Sequence, residues 1–444
     1  MEQRHTTGTS FFERFVLALR RLPARIAAYV QAKRKARRES ELLSRHAVRL
    51  ELKPESVREL NAAWLASAAP SSPASADPLF ASADAHSERE RALIQRILQE
   101  TEKANRNNVT RTEAYRALYF RCPELHWALL AHLVSRNGGW NMTDLQGELL
   151  PRLLGRSFRK HAFLLLERAN ALIFQDAYPQ LLLYEASRKE GREHFGLLPA
   201  FGVSRFMRPV WSQFWRRRDA AILTTALIVN EQNVIEEPIV RSAYFKEHVL
   251  RQPAFLLQAP LQTNSVFMPY GAPSEDGMKL AGLVLENFRS LQERIEFGKR
   301  LYAILFGVTD VKNGVLAFVR AVPHTGSRAD YAPQLFTKQP RNTSAKGYAV
   351  KLDGCKLKRG ARKLSSPELE MAWQDVPVEI GSRSDWFTGS EEAAEEVAAY
   401  FKALPLPDVF EITEEHCSGI KKIELAVMAA QRIKPAVPLQ EKRR

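Results

Sequence analysis

Between residues 91 and 340 the large apolar residues return at steps of three and four, with proline or glycine breakers at short intervals, and clean two-residue alternation is nearly absent. A 3.6-residue period lines side chains along one face of a helix, whereas a strand needs a period of two. This stretch can therefore bury its apolar stripes only by packing helix on helix. The expected fold is mainly α, a multi-helix bundle-like body. Leu93, Ile94, Ile97 and Leu98 mark one helix, and Thr110-Arg111-Thr112-Glu113 reads as a capping box opening the next. Pro123 stops that helix and starts another. Further helices are expected near 157–177, 180–190, 219–233, 239–250, 276–297 and 299–307.

A chain of 444 residues buries roughly 75% of its unfolded surface and needs no staple to stay folded. Its three cysteines, Cys122, Cys355 and Cys417, are odd in number and far apart, so no disulfide framework and no CxxC zinc site is expected. The longest unbroken candidate for a membrane span, Ala220 to Val229, is ten residues long, against the roughly 20 that a bilayer requires.

The organisation follows from charge and composition. Residues 1–66 read as a basic amphipathic extension, 67–90 as a linker rich in Ala, Ser, Pro and Asp, 91–340 as the all-α body, and 341–444 as a loop-rich, then helical, C-terminal region. Residues 1–50 hold twelve Lys+Arg against four Asp+Glu, a surplus of eight out of the chain's +15. Phe11, Phe15, Leu19, Leu22, Ile26 and Tyr29 form an apolar stripe among Arg14, Arg20, Arg21 and Arg25, and Lys33, Arg34, Lys35, Arg37 and Arg38 follow. Such a segment either lies on an anionic membrane surface or packs on the body with its basic face in water. It lacks the long apolar run and small-residue cleavage site of a secretory signal, so the expected location is the cytoplasm, peripheral at the membrane. Beyond residue 340, Lys351, Lys356, Lys358, Arg359, Arg362 and Lys363 surround Gly354 and Gly360, which suggests a basic segment with a short hairpin. Helices are expected from Ser366-Pro367-Glu368, over Glu391 to Leu404 and over Glu414 to Ile433, with a frayed tail from Lys434.

No phosphate loop, GxSxG elbow, HExxH or paired Glu-x-x-His motif is present, and no cofactor or metal is assigned. The densest stretch of chemistry is Pro123 to Asp144, PELHWALLAHLVSRNGGWNMTD. At 100° per residue Glu124, His132, Ser135 and Arg136 share an arc, while His126 falls among Trp127, Leu130 and Leu133 and reads as a core histidine. His132 and Arg136, four apart, can share a carboxylate or an anionic ligand. The helix is expected to end at Gly138, with Gly138-Gly139 turning through Trp140-Asn141 before Thr143 or Asp144 caps the next one. Asn137, Gly138, Gly139 and Asn141 thus join the candidate ligand-binding residues, against the plain reading of a structural turn. Polar residues inside apolar helices, Glu167, Arg168, Asn170, Glu231 and Glu286, predict a buried network that either fixes register or lines a pocket. The loop at 323–331 offers His324 with Asp330 as a base and its orienter and Arg328 as an anion binder. Ser327 and Asp330 serve equally well as helix caps.

Five blocks of sequence carry a resemblance: Glu124-Leu125-His126-Trp127, Ser135 through Met142, Glu167 through Pro179, Asn230-Glu231-Gln232 and Gly298-Lys299-Arg300-Leu301-Tyr302. Over roughly residues 95 to 340 the chain resembles the YppC-like family of bacilli, which implies a bacterial cytoplasmic protein and carries no assigned activity. Three functional readings stand. The leading one is a non-enzymatic cytoplasmic protein whose body binds a protein partner or a small anionic ligand and whose basic helix tethers it to a surface. The second is an enzyme for an anionic substrate using His132, Arg136, His324, Arg328 or Asp330, which requires these residues to converge on one concave pocket. The third is a nucleic-acid binder using the clusters at 33–38 and 356–363.

Overall fold

A computed structural model of the chain describes residues 30–66, 86–256, 264–271, 277–341, 347–378 and 384–433. The apolar stripe at 11–29, residues 67–85 of the expected 67–90 linker and the tail from Lys434 lie outside the described residues, while the linker's last residues, from Glu88, already belong to a helix. Helices dominate: α1 (30–44), α2 (Pro54–Ala66), α3 (Glu88–Ala104), α4 (Asn108–Arg121), α5 (His126–Asp144), the short α6 (Leu150–Leu153), α7 (Arg156–Glu190), α8 (Met207–Arg217), α9 (Ala220–Val234), α10 (Leu291–Gly307), α11 (Thr309–Ala321), α12 (Glu391–Ala398) and α13 (Thr413–Ile433). Two long elements make the centre. α7 packs against α3, α4, α5 and α9, and α5 is enclosed by α4, α7, α9 and α10. The mainly-α expectation holds.

Several local expectations are overturned, each for a physical reason. The expected helix at 276–297 is helical only from Leu291, where α10 begins; its first part holds a strand, β2 (Lys279–Val284), paired antiparallel with β1 (Ser265–Tyr270) from Ser265↔Val284 to Tyr270↔Lys279. Both strands are short apolar runs covered by protein, so they show no alternation, and a run of this kind cannot be told from a buried helix by period. The reading of α7 as two helices gives way to one of 35 residues that passes through Pro179. α4 begins a turn earlier than the Thr110 box implied. Asn107 is the cap, accepting from the Thr110 N–H, while Thr110 accepts from the Asn107 N–H.

The larger correction concerns Gly138-Gly139, where α5 does not end but continues to Asp144. Glycine costs a helix interior about 1 kcal/mol relative to alanine. At Gly139 it is required, because a Cβ there would lie 2.6 Å from His324 Nε2 and collide with the Asn108 side chain. The glycine lets the start of α4 and the 323–330 loop press directly on the α5 backbone.

Residues 30–66 are not a separable extension. Trp64 on α2 is fully buried, stacks on Phe206 at 4.9 Å and donates its indole N–H to the Phe206 carbonyl at 3.1 Å, and Leu52 and Leu60 join the same core. The cysteine expectation is also corrected: Cys355 and Cys417, 62 positions apart, form a disulfide with their Cα atoms 5.2 Å apart, and Cys122 is buried and free. In the C-terminal region the expected hairpin is present as β4 (Leu352–Asp353) and β5 (Lys356–Leu357), while β3 (Phe336–Thr337) pairs in parallel with β6 (Leu364–Ser365). No single described helix is long and apolar enough to cross a membrane.

Candidate functional site

α5 presents its polar residues to α4, to β1 and to the 323–330 loop, and together they build a continuous polar seam through the core. Arg136 is fully buried and donates to the Val322 and Pro323 carbonyls at 2.9 and 3.2 Å. Its guanidinium lies 3.8 Å from the Asp330 carboxylate and over the Phe318 ring. Burial pulls its pKa down to about 10, which still leaves it charged at neutral pH. Burial alone would push the Asp330 carboxyl up. The Thr325 N–H and hydroxyl, which donate at 3.0 and 2.7 Å, help hold it below the usual carboxylate range.

His324 has its pKa drawn down to about 4 by burial, so its ring is neutral, and Nε2 donates to Asn108 Oδ1 at 2.9 Å. His132 is enclosed on all sides: Nδ1 donates to the Thr112 carbonyl at 2.8 Å, and burial keeps the ring uncharged. Asn137 clamps β1 to α5, donating to the Phe267 carbonyl at 2.8 Å and accepting from the Phe267 N–H at 3.1 Å. Gly138 faces the Asn170 side chain on α7. The expected order of burial along α5 is reversed. His126, read as the core histidine, is only half-buried, bonded to the Tyr302 hydroxyl at 2.9 Å and stacked on Phe306, while His132 is completely buried.

At its outer end the seam changes character. Arg328 donates through Nε to both oxygens of Asp144 at 2.8 Å, through Nη2 to Asn141 at 3.2 Å and through Nη1 to the Tyr331 hydroxyl at 2.7 Å. Tyr331 in turn donates to His416 Nε2 at 2.9 Å, and burial beside the Arg328 charge keeps that imidazole neutral. These residues border a cleft of about 50 Å³ whose polar lining is Asp144, Glu148, Ser265, Arg328, Ser365 and His416. Glu148 accepts from Lys351 at 2.7 Å and from the Ser365 N–H at 3.1 Å, with Arg341 and Arg152 at 3.7 and 4.0 Å.

The structure thus joins Arg136, Gly139, His324 and Asp330 in one sealed cluster and Asn141 with Arg328 in another. Asn108, Asp144, Tyr331 and His416 complete these clusters and were missed. Asp144 was absorbed into a helix-cap reading, Asn108 lies just before the expected capping box and was not singled out, and nothing in the sequence links His416 to a loop 85 residues away.

The expected buried network is also real in part. Glu167 meets Arg111 at 2.5 Å with both side chains buried. Glu231 accepts from the Trp127 indole at 3.1 Å, and burial pushes its carboxyl up to about 8. Asn170 donates to its own Leu166 carbonyl. Arg168 and Glu286 are exposed and take no part, since α7 turns Arg168 outward and Glu286 sits on the loop after β2. Larger open volume lies elsewhere, in a groove of about 570 Å³ between residues 47–54, α10 and 402–406. Its ionisable lining residues are Arg49, Glu51 and Lys402.

The fold and seam define a mainly helical protein with an irregular, crosslinked C-terminal region wrapped onto the body. Residues 103–400 match the family described as "Protein of unknown function (DUF2515)". The chain is also 38% identical over 325 residues to the "Uncharacterized protein YppC" of Bacillus subtilis (strain 168), covering 73% of this chain and 91% of that protein. The chain belongs to this YppC-like family, whose function is unknown. No solved structure matches it.

Proposed function

We propose that this chain is a non-enzymatic binding protein, cytoplasmic and peripheral, whose N-terminal segment tethers it to an anionic membrane surface. One observation supports binding over catalysis: the catalytic-type residues and the open volume are in different places. His132, Arg136 and His324 are buried and bond to the Thr112, Val322 and Pro323 carbonyls and to Asn108, away from the open volume. The cleft that Arg328 borders, at about 50 Å³, is far below the roughly 300–1,000 Å³ of a metabolite site. It accepts an ion or the tip of one partner side chain. The 570 Å³ groove carries no histidine, aspartate or cysteine.

The tether reading is supported by the surplus of eight positive charges in residues 1–50 and by the Phe11–Tyr29 stripe. It is tested by flotation of the full chain and of a chain lacking residues 1–29 with vesicles of phosphatidylcholine, with and without phosphatidylglycerol. The full chain should float only with the anionic vesicles, and the shortened chain should not. Truncation stops at residue 29 because α2 belongs to the core. Equal flotation of both chains would rule out the tether.

A further inference from the structure

We propose that the hairpin segment 351–363 is a second, rigidly mounted contact for the headgroups of an anionic bilayer, set beside the point where residues 1–29 join the body. Residues 351–363 hold six Lys and Arg against one carboxylate, Asp353. Lys358, Arg359 and Arg362 are exposed and form no ion pair with any described residue, in contrast to the paired arginines of the seam.

The hairpin is not a loose charged loop. Leu352 is fully buried, the Lys351 and Leu352 N–H groups donate to the buried Glu424 carboxylate at 2.8 and 3.2 Å, and Cys355 is bonded to Cys417 on α13. The same end of α13 holds the other basic cluster. Glu415 pairs with Lys33 at 3.2 Å and Glu414 with Lys35 at 2.8 Å, both on α1. The first turn of α13 is therefore a common anchor for the root of the N-terminal segment and for the hairpin. Arg34 and Arg38 on α1, and Lys358 and Arg359 just after the disulfide-bonded turn, are all exposed on segments fixed to this helix end, and Arg362 is exposed a few residues further on.

A bilayer is the partner this arrangement fits. Nucleic acid would satisfy the cations, but a membrane would also accept the apolar stripe that the sequence carries at Phe11, Phe15, Leu19, Leu22, Ile26 and Tyr29. A single weak membrane signal gives marginal attachment, and two together give stable attachment. The inference rests on the tether reading, and the test separates the two.

The test measures partitioning of the full chain onto phosphatidylcholine–phosphatidylglycerol vesicles at about 0.1 M salt. The Lys358→Glu/Arg359→Glu/Arg362→Glu variant and the chain lacking 1–29 are run beside it. Each basic residue near an anionic leaflet multiplies partitioning several-fold, so reversing three charges should lower it about tenfold or more. A Lys358→Gln/Arg359→Gln variant, with an unchanged melting curve, should give a smaller loss in the same direction. If the charge-reversed variant partitions like wild type while the truncated chain does not, the hairpin inference fails and the tether stands. If the reverse is found, the hairpin contact stands and the tether fails. Loss of duplex DNA binding in the charge-reversed variant, with vesicle partitioning unchanged, would overturn the membrane assignment in favour of nucleic acid.

Discussion

The seam around α5 and the hairpin at 351–363 use the same side chains for opposite purposes. In the seam, Arg136 and Arg328 are desolvated and donate to carbonyls, the Asp144 carboxylate, Asn141 and a tyrosine hydroxyl, so their charge is consumed in holding α5 and the 323–330 loop in register. In the hairpin, Lys358, Arg359 and Arg362 remain in water on a crosslinked frame. The difference teaches that residue type is a poor guide to function in this chain and that burial decides: a charge with internal partners builds the fold, and an exposed one is available to a partner.

The comparison can be broken most easily at the seam. Arg136→Ala removes one partner of a buried pair and should cost about 3–5 kcal/mol, because Asp330 and two carbonyls lose their cation. Urea melts check this, and a near-wild-type midpoint would mean that the seam is not structural. The frame of the hairpin comes next. Cys355→Ser opens a crosslink spanning 62 positions and should lower stability by about 3–4 kcal/mol, with the same loss produced in wild type by reductant and none further in the variant.

A third effect depends on pH. The Glu231 carboxyl titrates near 8 in the fold, against roughly 4.3 when unfolded. The native state therefore holds a proton that the unfolded state has released, and this residue's contribution, fully present at acid pH, is lost as pH rises through about 8. Glu231→Gln, which keeps the shape without the titration, should be more stable than wild type by about 2–4 kcal/mol at pH 8, with the gain vanishing near the unfolded pKa. Melts across that range would show a flat difference if the carboxyl were solvated. The smallest expected change is at the surface: Lys358→Glu/Arg359→Glu/Arg362→Glu should shift stability by less than about 0.5 kcal/mol per site. A large loss there would erase the contrast with the seam.

Much of the fold is legible in the helical period, including α9, α13 and the break near Pro123. What period cannot show is what covers a short apolar run, so β1 and β2 were hidden. The role of Gly139 was hidden for a related reason. A glycine pair at the end of a polar arc looks like a helix terminus, and its true role depends on His324, nearly 200 residues downstream. The candidate site was half legible. His132, Arg136, His324, Arg328 and Asp330 were picked out by chemistry, and the fold does bring most of them together. A helical arc, however, assigns a face and not a depth, and α5 is covered along most of its length, with Val134 on the apolar side its one exposed residue, so the polar face at His132 and Arg136 is as dry as the apolar one. The disulfide was illegible because loop closure over 62 positions leaves no local trace.

The central claim is that the seam is closed to solvent, and histidine acylation by diethyl pyrocarbonate on the folded full chain tests it most directly. His46 is exposed and His248 partly so, whereas His132 and His324 are buried with neutral rings. The account predicts rapid modification of His46 and His248, and protection of His132 and His324 until the chain is unfolded in urea. If His132 or His324 reacts at the rate of His46 in the native protein, the seam opens to solvent and the enzyme reading returns.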